Sequence, residues 1–162
     1  MNSIKFYTSV YWIMPIDPDF YKTLPKKSEQ HNNQQSGDKH YVWGEGVERE
    51  LDFTGINSHD QELVEKHISK KGNLGIHGTN VAVDFDLCIA DGACLSACPV
   101  LVFGWNLKPQ EGPTSNGPGN NLNEYDKSDP FAENSCIYCL ACETVCPTTA
   151  IKIQEGLKNK IQ

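Results

Sequence analysis

Apolar residues are spread unevenly along this chain, and their spacing changes character several times. Residues 1–13 carry aromatics in no clear period. Val10-Tyr11-Trp12-Ile13-Met14 is too short for a bilayer span of ~20 residues or for the apolar region of a signal peptide. From Lys22 to Lys39 the chain is rich in Lys, Gln, Asn and Ser and reads as a polar loop. Tyr41-Val42-Trp43 has strand propensity and runs into Gly44-Glu45-Gly46, a turn signal. The pattern predicts a helix over 58–71, with Ser58 and Gln61 as a capping box and Leu63, Val64 and Ile68 as its apolar stripe. Lys70 and Lys71 suit its C-terminal dipole, Gly72 ends it, and His59 and His67 fall on its polar side. Val81 to Phe85 alternates and predicts a strand leading to Cys88. Val100 to Trp105 and Ala150 to Gln154 predict two more. Between them Asn106 to Ser128, dense in Gly and Pro, is an insertion loop, and the polar tail from Glu155 is expected to fray.

Composition changes this picture in one respect. With 38% hydrophobic residues, 13 Gly and 9 Pro in 162 residues, the apolar core is modest, so bound metal should contribute much of the folding free energy. The formal charge of −7 argues against nucleic acid and for partners with basic patches.

The cysteines carry the chemistry. Cys88, Cys94 and Cys98 map onto Cys136, Cys142 and Cys146 at a constant offset of 48 residues, and Pro99 maps onto Pro147. The second block reads C-x2-C-x2-C-x3-C-P, the bacterial-type run that wraps an iron–sulfur cubane and lends its fourth cysteine to the other cluster. In the first block Asp91 stands where the second has Cys139. Structural zinc takes two separated C-x2-C pairs and stops at four ligands, which seven cysteines in two such blocks fit badly.

Ligand crossing then assigns Cys136, Cys139, Cys142 and Cys98 to a 4Fe–4S centre. Cys88, Cys94 and Cys146 serve a second cluster with Asp91 at its fourth corner. Carboxylate is a hard ligand, so this cluster is either 3Fe–4S or a labile 4Fe–4S centre. The plainer reading of Asp91 is a turn residue beside Gly92. Tyr138 and Trp105 are expected to pack rather than to conduct electrons. Clusters need reduced thiols, which places the chain in the cytoplasm with no cysteine left for disulfides or catalysis.

Leu74 to Thr79, Val83 to Gly92, Lys127-Ser128-Asp129-Pro130 and Cys136-Ile137-Tyr138-Cys139 closely resemble the zinc-containing dicluster ferredoxins of archaea. Ile16-Asp17-Pro18 resembles their beginning and supports Met14 as the natural start. The resemblance implies a zinc ion tying an N-terminal extension to the core through three histidines and one aspartate. His40, His77 and Asp129 match three of these ligands; Gly37 stands where the third histidine falls, leaving Asp38, His31 or water for the fourth place. Residues 45–72 and 106–126 are additions to the family pattern, and partner recognition is one role for them.

The expected protein is α+β and ferredoxin-like, with two pseudo-symmetric cluster-binding units of βαβ type. Its parts are an added segment at 1–13, an extension with zinc ligands at 14–79, a dicluster domain at 80–155 and a tail at 156–162. No dinucleotide fingerprint, phosphate loop or nucleophile motif is present. The expected function is a soluble, monomeric one-electron carrier, not an enzyme. The resemblance implies partners such as 2-oxoacid:ferredoxin oxidoreductases. The second reading is a fixed electron-relaying subunit of a larger oxidoreductase complex.

Overall fold

The structure is a computed structural model, and it describes residues 16–30, 39–67, 74–106 and 127–161. Residues 1–13, His31, Asp38 and the loop between 106 and 127 therefore fall outside it, in whole or nearly so. The elements in chain order are α1 (Phe20–Thr23), β1 (Lys26–Gln30), β2 (Lys39–Trp43), α2 (Ser58–His67), β3 (Ile76–His77), β4 (Val81–Asp84) and α3 (Ala93–Ala97). They continue with β5 (Gly104–Asn106), β6 (Lys127–Asp129), a 3-10 turn at Glu133–Ser135, α4 (Ala141–Val145), β7 (Ile151–Ile153) and α5 (Leu157–Ile161).

The fold is mixed α and β. A five-stranded sheet in the order β1-β2-β3-β4-β7 lies beside a two-stranded β5-β6 ribbon, and every pairing is antiparallel. This corrects the βαβ expectation. β4, ahead of the first cysteine block, pairs with β7, behind the second, in the register Val81↔Ile153. β5 and β6, which lie on either side of residues 107–126, pair with Gly104 opposite Asp129. Each cysteine block therefore closes against a strand of the other, and no parallel crossover is needed.

β1 is a second correction, because Lys26-Lys27-Ser28-Glu29-Gln30 lies within the tract expected to be loop. Its polar residues are tolerated because it is the sheet's edge, where backbone pairing with β2 supplies the order and Lys26 and Lys27 face solvent. β4 was expected to alternate, yet all four of its residues are buried. Leu51, Ile56 and Val64 share one core with Val81, Val83 and Phe85. Ala82 faces a second core containing Ile16, Phe20, Trp43, Ile76 and Leu157. The tail does not fray through to its end: α5 docks Leu157 into that second core.

The 45–57 segment is held by charge as well as by packing. The Arg49 guanidinium reaches Asp84 and, at 2.9 Å, Asp86, both fully buried. Asp86 in turn accepts the backbone N–H groups of Leu74 and Gly75 at 3.0 and 3.2 Å. α2 is capped one residue earlier than expected: Asn57 Oδ1 accepts the Asp60 N–H at 2.9 Å, and Asn57 Nδ2 donates back to the Asp60 carboxylate. His59 is exposed as expected.

Candidate metal centres

The duplication is visible in backbone angles. Left-handed residues occur at Ala90, Gly92 and Leu101 (φ 58°, 77° and 55°), and again at Tyr138, Leu140 and Thr149 (φ 57°, 62° and 51°). Each pair is 48 residues apart, the offset of the cysteines. α3 and α4 obey the same offset, and the cysteine ending each helix (Cys98, Cys146) is extended, with ψ 115° in both. Four residues later the chain returns an N–H to that cysteine's sulfur: Val102 N to Cys98 Sγ at 3.4 Å, and Ala150 N to Cys146 Sγ at 3.3 Å. Tyr138 N also donates to Cys136 Sγ at 3.3 Å. Backbone N–H groups aimed at sulfur are what a thiolate cluster ligand requires.

Side chains divide into two pockets across the repeat. One is lined by Cys98, Cys136, Cys139 and Cys142. The other is lined by Cys88, Asp91, Cys94 and Cys146. They enclose similar space, about 290 and 320 Å³ including some open to solvent, so lining chemistry rather than size distinguishes them. Around the first, every lining residue besides cysteine is apolar, among them Val81, Phe103 and Ile153. The second adds Ser128 and Thr148 to Asp91.

The donor set of each pocket fits an iron–sulfur cluster. Burial pushes the thiols of Cys94 and Cys142 up to about 12, and raises those of Cys136 and Cys146, so unligated sulfur at these positions would keep its proton. Bound iron would take the place of that proton and supply the compensating charge. Asp91 is exposed, and its Oδ1 accepts the Ala93 N–H at 3.3 Å while the residue lines the pocket mouth. It is thus a turn residue that also lines the pocket. Trp105 and Tyr138 are half-buried, as packing residues are. A Cβ on Gly92 would stand 3.2 Å from the Trp105 ring.

A third constellation joins the two sheets. β2 contributes His40, β3 contributes His77 and β6 contributes Asp129, and the three are buried with their donor atoms mutually within 4.8 Å. His40 Nε2 lies 3.5 Å from both His77 Nδ1 and Asp129 Oδ1. The edge of a zinc tetrahedron with bonds of ~2.0–2.1 Å is ~3.4 Å, so this spacing suits one ion between the three groups. The His77 ring stacks flat on Phe85 at 3.6 Å. Gly78 beside it has φ +85°, and a Cβ there would lie 2.0 Å from the Val81 carbonyl, so only glycine allows this turn. Burial, with the Glu133 charge second, holds the Asp129 carboxyl well above its ordinary range; a cation beside it reverses that cost.

Residues that sequence reasoning did not find support these sites. Fully buried Glu133 accepts the N–H groups of Thr79, Asn80 and Val81 at 2.8, 2.9 and 3.3 Å and pairs with Lys158 at 3.3 Å. Lys127 and Ser128 immediately precede the zinc candidate Asp129, and both touch the Asp91-side cysteine loop. No spacing rule relates these residues to the cysteine blocks, although Lys127 and Ser128 lie within a matched family segment.

The 4Fe–4S dicluster domain model matches residues 80–147. A zinc-containing ferredoxin of Thermoplasma acidophilum is 44% identical over 146 residues, covering 86% of this chain and 90% of that protein. A ferredoxin of Methanothermococcus thermolithotrophicus is 30% identical over 78 residues, 47% of this chain and all of the relative. Ferredoxin B of Sulfuracidifex metallicus is 75% identical over 24 residues, 15% of this chain and 45% of that protein. No helix among the described residues is long and apolar enough to cross a membrane. Similar over nearly the whole of a ferredoxin rather than over a module of some larger assembly, the chain belongs to the zinc-containing dicluster ferredoxins, electron carriers and not enzymes.

Proposed function

We propose that Cys98, Cys136, Cys139 and Cys142 hold a 4Fe–4S cluster, and that Cys88, Cys94 and Cys146 hold a second with Asp91 at its fourth corner. The observation that carries this reading is the partition of all seven cysteines and Asp91 into two pockets that cross the repeat. The two units are pseudo-symmetric, a relation supported by the recurring left-handed residues. Asp91 is the hard ligand, so its cluster is the one that exists as 3Fe–4S or loses an iron readily.

His40, His77 and Asp129 hold zinc, with Asp38, His31 or water completing the tetrahedron. Because the histidines come from the five-stranded sheet and Asp129 from the ribbon, zinc here clamps residues 14–79 to the 80–155 dicluster unit. Zinc contributes no redox chemistry; its role in this place is structural.

Electrons enter and leave from the all-cysteine side. Cys139 is exposed, and Leu101, Ile137 and Leu140, close to its cluster's cysteines, are 71%, 58% and 48% exposed. An apolar rim over a cluster edge suits brief docking of redox partner proteins, 2-oxoacid:ferredoxin oxidoreductases being the expected class. The carrier operates in a reducing, cytoplasmic setting, as a monomer.

The test is metal analysis with EPR on protein isolated without oxygen. The reading expects about seven to eight irons and one zinc per chain. Four irons would eliminate the second cluster, and absence of zinc would eliminate the His40–His77–Asp129 site.

A further inference from the structure

We propose that Ser128, carried by β6 from outside both cysteine blocks, raises the reduction potential of the Asp91-side cluster by donating its hydroxyl hydrogen to the Cys94 sulfur. This rests on the ligand assignment proposed above. Ser128 Oγ lies 3.0 Å from Cys94 Sγ, and the two residues are only 2% and 5% exposed. A cysteine bound to iron carries no hydrogen, so the hydroxyl must be the donor in this pair. The contact is away from water, where a hydrogen bond to a charged acceptor is strongest.

A donor at a ligand sulfur draws electron density away from iron and favours the reduced, more negative state. The step concerned is one-electron reduction by an external donor. No bond at Ser128 forms or breaks, and its proton stays on oxygen.

Two neighbours reinforce the assignment. Lys127 is fully buried, and its ammonium donates to the Cys88 carbonyl, which fixes β6 against the same ligand loop. Thr148 Oγ1 stands 3.8 Å from Cys146 Sγ as a longer second contact. The other pocket is lined by no hydroxyl side chain among the described residues. The repeat supplies equivalent backbone donors, from Val102 and Ala150, on the two sides. Tyr138 N adds a further backbone donor to Cys136 on the all-cysteine side, whereas the hydroxyl donors stand on the Asp91 side.

The experiment is a redox titration of both clusters, followed by EPR in the full-length holoprotein. The variants are Ser128→Ala, Ser128→Gly, Ser128→Thr and Thr148→Ala, with Cys94→Ala as the ligand control. Ser128→Ala and Ser128→Gly should weaken the electron affinity of the Asp91-side cluster by roughly tenfold, a fall of about 59 mV for one electron. The all-cysteine cluster, as internal reference, should not move. Ser128→Thr keeps the hydroxyl and should stay near the parent value, and Thr148→Ala should shift the same cluster less, in the same direction.

An unchanged potential in Ser128→Ala, with both clusters present, overturns the proposal. So does loss of that cluster from both donor-free variants, which would assign Ser128 to structure instead. Retention of both clusters in Cys94→Ala brings down the ligand assignment and this proposal together. Loss of one cluster there, beside an unmoved Ser128→Ala potential, brings down this proposal alone.

Discussion

The two cysteine pockets share a backbone and differ in what surrounds it. Helices, left-handed turns and sulfur-directed N–H groups recur at one offset, so a cluster-sized cradle is built twice. One cradle is walled by apolar side chains and opens at Cys139; the other meets Asp91, Ser128 and Thr148 and abuts the strand that carries Asp129. A duplication can therefore keep its geometry while the electronic environment is set by residues lying partly outside it.

The largest effects should come from testing the crossing itself. Cys98→Ala should remove the all-cysteine cluster although Cys98 lies in the first block, and Cys146→Ala should remove the Asp91-side cluster although it lies in the second. Iron content and EPR of each variant read this directly, and loss of the opposite cluster in either would break the comparison. Each variant should also melt well below the parent, because cluster ligation is part of the folding free energy.

Next in size is Asp129→Ala. It should abolish zinc binding while leaving both clusters assembled, and lower stability by about 3 kcal/mol or more, since a structural ion is lost with its buried ligands. Because Ser128 adjoins Asp129, the Asp91-side EPR signal should change more than the other. Equal changes in both signals would show that zinc acts on the whole fold without preference. Thermal unfolding with metal analysis measures the rest.

Asp91→Cys should be milder for stability and decisive spectroscopically. A fourth thiolate should convert any 3Fe–4S signal into a stable 4Fe–4S one. An unchanged spectrum would remove Asp91 as the cause of the asymmetry.

Smallest are the matched turn positions. Gly92→Ala puts a Cβ at φ 77° and 3.2 Å from Trp105, and should cost about 1–2 kcal/mol. Leu140→Gly relieves the same strain at φ 62° in a half-exposed residue, and should change stability by less than about 1 kcal/mol. Denaturant melts of the pair would show whether the two turns are equivalent.

Much of this was visible in the residues alone where covalent spacing dictates geometry. Three cysteines at three-residue steps must wrap a compact object, and the repeat exposes Asp91 as its exception. Tyr41-Val42-Trp43 was recognisable as strand, and α2 was found with its cap displaced by one residue, because Asn57 and Ser58 are both competent caps. β1 was not recognisable, since a charged edge strand owes its order to a neighbour's backbone and not to its own side chains. Phe20 belongs to a four-residue helix too short to show a period.

By itself the sequence determined two cysteine blocks that differ at one position, Asp91 against Cys139, because the number and identity of candidate ligands are properties of spacing and residue type. It identified His40, His77 and Asp129 only through family likeness. Only the tertiary structure decided that these three converge, that Arg49 pins the 45–57 segment through Asp84 and Asp86, and that Ser128 meets Cys94. Such contacts join residues 34 to 89 positions apart, on strands, a helix and a loop. Their distances follow from sheet register and packing, which no local pattern encodes.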